Sequence, residues 1–207
     1  MKKAIIFDMD GTLVDSSITI ANAINSVRQK LSLPPMEEKE ILDKVNDPHL
    51  NPARYFYESE HFTPEHEQWF SEYYTQNHEK ELRLYEGIAQ LLQRLKKRGF
   101  KLALATNAYR NSTLQSLKHL EITDLFDSVV CFDDVKRGKP NPAMLIKVLE
   151  DLHVTKEEAL FIGDGERDML AAKAAGIDYI MVNWGFSEYT QDVIETIEAL
   201  EKAILEA

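Results

Sequence analysis

A chain of 207 residues suits one large domain, or a core with a modest insert, and is long enough to bury a substantial apolar core. Hydrophobic residues make up 44% and charged residues 29%, ordinary values for a soluble globular protein. The formal charge of -11 argues against general binding to nucleic acid or to an anionic membrane, both of which require a basic footprint.

Lys2 and Lys3 imitate the start of a signal peptide, but the apolar run after them is only AIIF before Asp8 interrupts it. Neither a signal peptide nor a membrane span is expected. The single cysteine, Cys131, excludes an intramolecular disulfide. In the apolar stretch SVVCF it fits an inert core thiol, and the expected compartment is a reducing cytoplasm.

The first predicted strand is KAIIFD, residues 3–8. Residues 15–84 then carry no convincing strand, which is far more chain than a crossover between parallel strands requires. Helices are predicted at 16–31, 36–45, 52–60 and 64–79, set off by Pro34-Pro35, Asp47-Pro48, Pro52 and Pro64. This stretch is expected to be a helical cap inserted into a core made of residues 1–14 and 85–207. Its aromatics (Tyr55, Phe56, Tyr57, Phe62, Trp69, Phe70, Tyr73 and Tyr74) are expected to form a small core of their own.

Beyond the insert, helices and strands alternate. A helix at 87–98, closed by the cations of KKRG and by Gly99, precedes a strand at 101–106. A helix at 110–120, a strand at 128–132, a helix at 142–152 and a strand at 159–163 follow. A helix at 168–175 ends at Gly176, with a strand at 179–182 and a C-terminal helix at about 188–205. The strands are near-continuous apolar runs, as expected of parallel strands covered on both faces, so the fold class is α/β.

Asp8 ends the first strand, and ligands of open α/β sheets bind beyond the carboxyl ends of the strands. The run FDMDGTLVD adds Asp10, with Gly11 permitting a sharp turn. The pattern recurs where ALFIG is followed by DGERD, so that Asp164 ends a strand and Asp168 lies one helical turn on. Carboxylates gathered at strand ends repel one another unless a positive charge sits among them. A hard divalent cation answers this, and Mg2+ suits best because it uses one or two carboxylates together with substrate phosphate and water. Thr106 and Asn107 follow the second predicted strand, where a hydroxyl and backbone N–H groups bind phosphoryl oxygens. Lys139, in KRGKPNP, offers an ammonium to balance charge. Together these are the parts needed for phosphoryl transfer, in which positioning and charge stabilisation do most of the work.

The chain resembles the haloacid dehalogenase superfamily on its phosphatase branch, with DMDGTLVD, ATN, KRGKPNP and GDGERD as the four motifs in order. The resemblance implies a Rossmann-like, doubly wound parallel sheet with the fourth, first and second motif strands side by side. It implies that Asp8 is the nucleophile, forming an aspartyl-phosphate, and that Asp10 is the general acid and then the base. Asp8, the Asp10 backbone carbonyl and Asp164 would bind Mg2+, with Asp168 in support, while Thr106, Asn107 and Lys139 would bind the phosphoryl group.

The expected function is therefore a Mg2+-dependent phosphomonoester hydrolase acting on a small phosphorylated metabolite, with 2-phosphoglycolate first. Asp10 speaks against a dehalogenase or a phosphonate hydrolase of this superfamily, both of which lack the second aspartate. The alternatives are a phosphomutase of the β-phosphoglucomutase type and a phospho-acceptor or binding module without turnover. VNWGFSEY, residues 182–189, resembles a segment of phosphoglycolate phosphatases. An anionic substrate would want a cation near the cap, for which His49, Arg54 and Arg110 are the candidates. Asp15 is expected to support the first cap helix; Glu166, Arg167, Asp133 and Asp134 are expected at the surface. No nucleic-acid or membrane partner is expected, and a monomer is the default.

Overall fold

The computed structural model describes residues 1–45, 47–187 and 189–207. In chain order the elements begin with β1 (Ala4–Phe7), β2 (Val14–Asp15), α1 (Ser17–Lys30), α2 (Glu38–Val45), α3 (Pro52–Tyr57), α4 (Pro64–Glu81) and β3 (Arg83–Leu84). They continue with α5 (Ile88–Lys97), β4 (Lys101–Ala105), α6 (Arg110–His119), β5 (Ser128–Val130), α7 (Ala143–Leu152), β6 (Ala159–Gly163) and α8 (Glu166–Ala175). The last are β7 (Asp178–Val182), β8 (Val193–Ile194) and α9 (Ile197–Glu206).

Among the described residues, one six-stranded sheet has the order β5-β4-β1-β6-β7-β8, parallel throughout. β1 lies between β4 and β6, so the strands that end at Asp8, Thr106 and Asp164 are neighbours. The apolar runs are continuous because both faces of the sheet are covered. Alternate side chains point to opposite faces. Ile5 and Phe7 pack with Leu91 and Leu95 of α5 and Leu200 and Ile204 of α9. Ala4 and Ile6 pack with Met144 and Val148 of α7 and Ala171 and Ala172 of α8.

The long insert is helical, and its helices begin where proline and a capping side chain coincide. Asn51 accepts from the Arg54 N–H ahead of Pro52, and Thr63 accepts from the His66 N–H ahead of Pro64. α1 packs chiefly against α4. β2 and β3, too short to be visible in the sequence, pair antiparallel where the insert leaves and rejoins the sheet. Asp15 accepts from both the N–H and the hydroxyl of Ser17, which supports the first turn of α1.

Two expectations need correction. The C-terminal helix starts at Ile197 rather than near 188, because Val193 and Ile194 pair with the free edge of β7 and Thr196 then caps the helix. The insert's aromatics do not all form a separate core. Phe56 and Tyr57 join an insert cluster with Ile24 and Val27, but Tyr74 packs into the main core and lies 3.4 Å from the hydroxyl of Ser116 on α6. Phe62 is largely exposed.

Candidate active site

The site is built at the carboxyl ends of β1, β4 and β6. Asp8 follows β1 directly and donates its N–H to Ile162 O at 2.9 Å. The chain then turns sharply, with the N–H groups of Thr12, Leu13 and Val14 all directed at Met9 O. Gly11 makes that turn possible: its φ is +78°, and a Cβ there would lie 2.5 Å from Asp164 Oδ2. Across the site, Gly163 has no room for a side chain either, since a Cβ would lie 2.5 Å from the Cβ of Asp168.

Asp8, Asp164 and Asp168 are buried, and each offers a carboxylate oxygen within 4.8 Å of the others. Lys139, also buried, bridges two of them, with Nζ 2.5 Å from Asp8 Oδ1 and 2.6 Å from Asp168 Oδ1. Asp168 does a second job: its Oδ2 accepts from the N–H groups of Asp164 and Gly165, so it also caps α8. Gly165 has an ordinary extended backbone, φ −112°, so a glycine is not demanded at that place in the fourth motif.

Thr106 is buried and its hydroxyl accepts from Ala108 N at 3.1 Å, which fixes the turn after β4. The side chain of Asn107 is taken up by the main chain of Lys139, accepting from its N–H at 2.8 Å and donating to its carbonyl at 3.0 Å. Asn107 thus ties the loop after β4 to the loop that carries Lys139.

The charge balance is uneven. Burial raises the Asp8 carboxyl from its ordinary 3.8 to about 7; Lys139 opposes this, and Asp168 and Asp10 add to it. Asp164 is raised well above the usual carboxylate range by burial, then by Asp168 and Asp8. Asp10 is also raised by burial, with Ser16 and Lys139 pulling the other way. For Lys139, burial opposes the ammonium, but Asp168 and Asp8 outweigh it and hold its pKa above the ordinary value. A single ammonium cannot balance these carboxylates once all are ionised, and their raised pKa values express burial together with that shortfall of positive charge. Asp10 Oδ1 and Asp164 Oδ2 are buried with no hydrogen-bond partner among the described residues. An all-oxygen donor set with unpartnered buried oxygens fits a hard divalent cation such as Mg2+.

The three candidate specificity cations behave differently. Arg110 is turned to Asp134, which it meets with two nitrogens, and to Val129 O at 2.7 Å. Asp133 is exposed, as expected, and accepts from Arg110 N, while Asp134 is half-buried and also accepts from Cys131 N. Arg54 is exposed, with Glu60 at 3.8 Å. His49 is exposed and lies 4.0 Å from Glu166, at the start of α8.

Several contributors escaped the sequence reading. Thr12 donates to Asp164 Oδ1 at 3.3 Å, and Ser187 donates to Asp164 O at 2.7 Å. Trp184 donates from its indole to Thr12 O at 2.9 Å, and Phe186 is buried in the insert cluster. The VNWGFSEY segment thus braces the first and fourth motifs and plugs into the insert; the only earlier signal for it was its similarity to phosphoglycolate phosphatases. Arg167, expected at the surface, is half-buried and donates to Asp47 O at 2.7 Å. Asn46 and Glu188 lie outside the described residues.

The family profile described as haloacid dehalogenase-like hydrolase matches residues 5–182. The chain belongs to that family. A pyrophosphatase, PpaX, of Halalkalibacterium halodurans is 29% identical over 186 residues, covering 87% of this chain and 83% of the relative. A phosphoglycolate phosphatase of Colwellia psychrerythraea is 32% identical over 205 residues, covering 93% of this chain and 88% of the relative. The solved structure of "a predicted phosphatase" from Clostridium acetobutylicum superposes with a TM-score of 0.87 at 26% identity and covers 100% of both chains. The family and α/β fold expected from the four motifs agree with these relatives, as does the expected enzyme class. No described helix is long and apolar enough to cross a membrane.

Proposed function

We propose that the protein is a Mg2+-dependent phosphomonoester hydrolase for a small phosphorylated metabolite, working through an aspartyl-phosphate on Asp8. The observation that carries this reading is the position of Asp8. It is buried at the end of the central strand, paired with Lys139 and grouped with Asp164 and Asp168.

A carboxylate oxygen of Asp8 attacks phosphorus while the bond to the leaving oxygen breaks. The proton that the leaving oxygen needs comes from Asp10, whose carboxyl burial raises above its ordinary value, favouring the protonated acid. Asp10 then takes a proton from the water that attacks the aspartyl-phosphate; inorganic phosphate leaves and Asp8 is regenerated. Thr106 and Lys139 orient the phosphoryl oxygens, Asn107 holds the Lys139 loop, and Lys139 offsets negative charge. Asp8, Asp164 and the Asp10 carbonyl, with Asp168 in support, would hold Mg2+, which would supply further neutralisation of negative charge there. The insert, residues 15–84, acts as a cap that excludes bulk water, with the paired β2 and β3 as its hinge.

The substrate favoured is 2-phosphoglycolate or a compound like it, in keeping with the relatives of that name. The test is phosphate release from a panel of small phosphomonoesters, with Mg2+ or EDTA, beside Asp8→Asn. Mg2+-dependent release that Asp8→Asn abolishes is expected. Release that survives the substitution, or none from any phosphomonoester, would overturn the reading.

A further inference from the structure

An acidic site poses a problem for a substrate whose leaving group is itself charged. Lys139 is already shared between Asp8 and Asp168. A carboxylate on the leaving group would meet a site rich in carboxylates and would require its own cation. Arg28, Arg110 and Arg54 do not supply it. Arg28 is buried but donates to Pro34 O and Phe56 O within the insert. Arg110 is bound to Asp134, and Arg54 is exposed beside Glu60.

Arg167 is placed differently. It sits in the first turn of α8, one residue before Asp168, where the core meets the insert loop that follows α2. One of its bonds, from Nη2 to Asp47 O at 2.7 Å, crosses that seam, and the neighbouring Glu166 lies 4.0 Å from His49 of the same loop. Its Nε is buried and has no acceptor among the described residues. A guanidinium has five N–H donors in a planar fork that matches a carboxylate or a phosphate, and it stays charged. A buried donor without an acceptor is costly, and an anionic ligand arriving in the seam would relieve that cost.

We propose that Arg167 is the specificity residue that recognises a negatively charged leaving group, using its unpartnered Nε–H while Nη2 is held by Asp47 O. This rests on the hydrolase reading and deepens it: the substrate class becomes phosphomonoesters or anhydrides whose departing half is an anion. The cation expected in the insert is thereby supplied from the core. The insert loop contributes a backbone carbonyl that aims it. Because α8 carries Asp168 as well, the same helix turn would sense both the metal site and the leaving group.

The test compares matched substrates. 2-Phosphoglycolate and ethylene glycol monophosphate differ in whether the leaving alcohol bears a carboxylate or a hydroxyl, and inorganic pyrophosphate offers a second anionic leaving group. In Arg167→Gln, the ratio of kcat/KM for 2-phosphoglycolate over ethylene glycol monophosphate should fall roughly 10- to 100-fold, mostly through KM, as expected for losing one charge-assisted contact. Arg167→Lys should recover part of the ratio. The pyrophosphate ratio tells whether the residue reads carboxylate alone or negative charge in general.

A second arm does not depend on turnover: calorimetric binding of 2-phosphoglycolate to Asp8→Asn, with and without Arg167→Gln, should show the same weakening. If Arg167 is only a strut for the insert loop, both substrates lose equally and the ratio stays at its wild-type value, which overturns the proposal. A wild-type preference for the neutral substrate overturns it too, while leaving the hydrolase reading intact. Absence of turnover with every substrate, beside Arg167-dependent binding in the Asp8→Asn background, would count against the hydrolase reading alone.

Discussion

The sheet and the helical insert solve different problems. The sheet buries both faces of every central strand, and its site residues sit at strand ends whose positions follow from hydrogen-bonded register. The insert has a smaller cluster centred on Ile24, Val27, Ile41 and Phe56, and it borrows Phe186 from the core to complete it. Beside that apolar contact, polar ones join the insert to the start of α8, Asp47 with Arg167 and His49 with Glu166. The strand ends thus rest on one continuous core, while the insert combines a smaller cluster of its own with contacts to that core.

The largest effect expected on either region is chemical. Asp8→Asn should lower phosphate release by about four orders of magnitude, as loss of a nucleophile does. The same substitution should leave the fold at least as stable, because it removes a buried charge that folding holds at a cost. Phosphate release and thermal unfolding on one preparation would check both. Stability lost in step with activity would mean that Asp8 is mainly structural.

Packing comes next. Phe161→Ala, in the sheet, should cost about 3–5 kcal/mol of global stability in denaturant unfolding. Phe186→Ala should instead raise hydrogen exchange first in α1 and α3, whose residues share its cluster. Equal, global acceleration in both variants would erase the distinction between the two regions.

The third effect is on pH and metal. Burial lifts Asp8 from 3.8 to about 7. Over that interval the folded chain holds more protons than the unfolded one, so stability falls as pH rises from about 4 to about 7. Asp164 acts in the same direction. Cation binding requires the ionised carboxylates, so the increase in melting temperature caused by Mg2+ should grow from pH 5 to pH 8. A Mg2+ effect independent of pH would remove the carboxylate cluster as its site.

The smallest effect concerns Arg110. Its pairing holds Asp134 below the usual carboxylate range, so the stabilisation is present above pH 3.8 and is lost as pH falls through the lower, folded value. Arg110→Ala should cost about 1 kcal/mol or less at neutral pH, given its partial exposure. It should leave the substrate ratios described for Arg167 unchanged. A shifted ratio would return Arg110 to the specificity set.

What was legible in the chain was mostly local. Apolar runs marked β1, β4, β5, β6 and β7, and Pro52 and Pro64 with their capping residues marked helix starts. The carboxylate cluster could be anticipated because Asp8 and Asp164 each end a buried run. The misses share a cause. Val193–Ile194 is compatible with a helix until a free strand edge claims it. Tyr74 fits an insert core until α4 meets α6. Arg110, a candidate specificity cation, finds Asp134, whereas Arg167, expected at the surface, finds a loop 120 residues away in sequence.

The sequence alone determined the α/β class, the family and the acidic residues of the site, since these depend on short patterns of burial, turning and charge. Only the tertiary structure decided which cation faces the seam, what Asn107 holds, and how the last loop braces the motifs. Those depend on partners brought together by folding, and a side chain's partner, unlike its helical or strand period, leaves no mark on its neighbours in sequence.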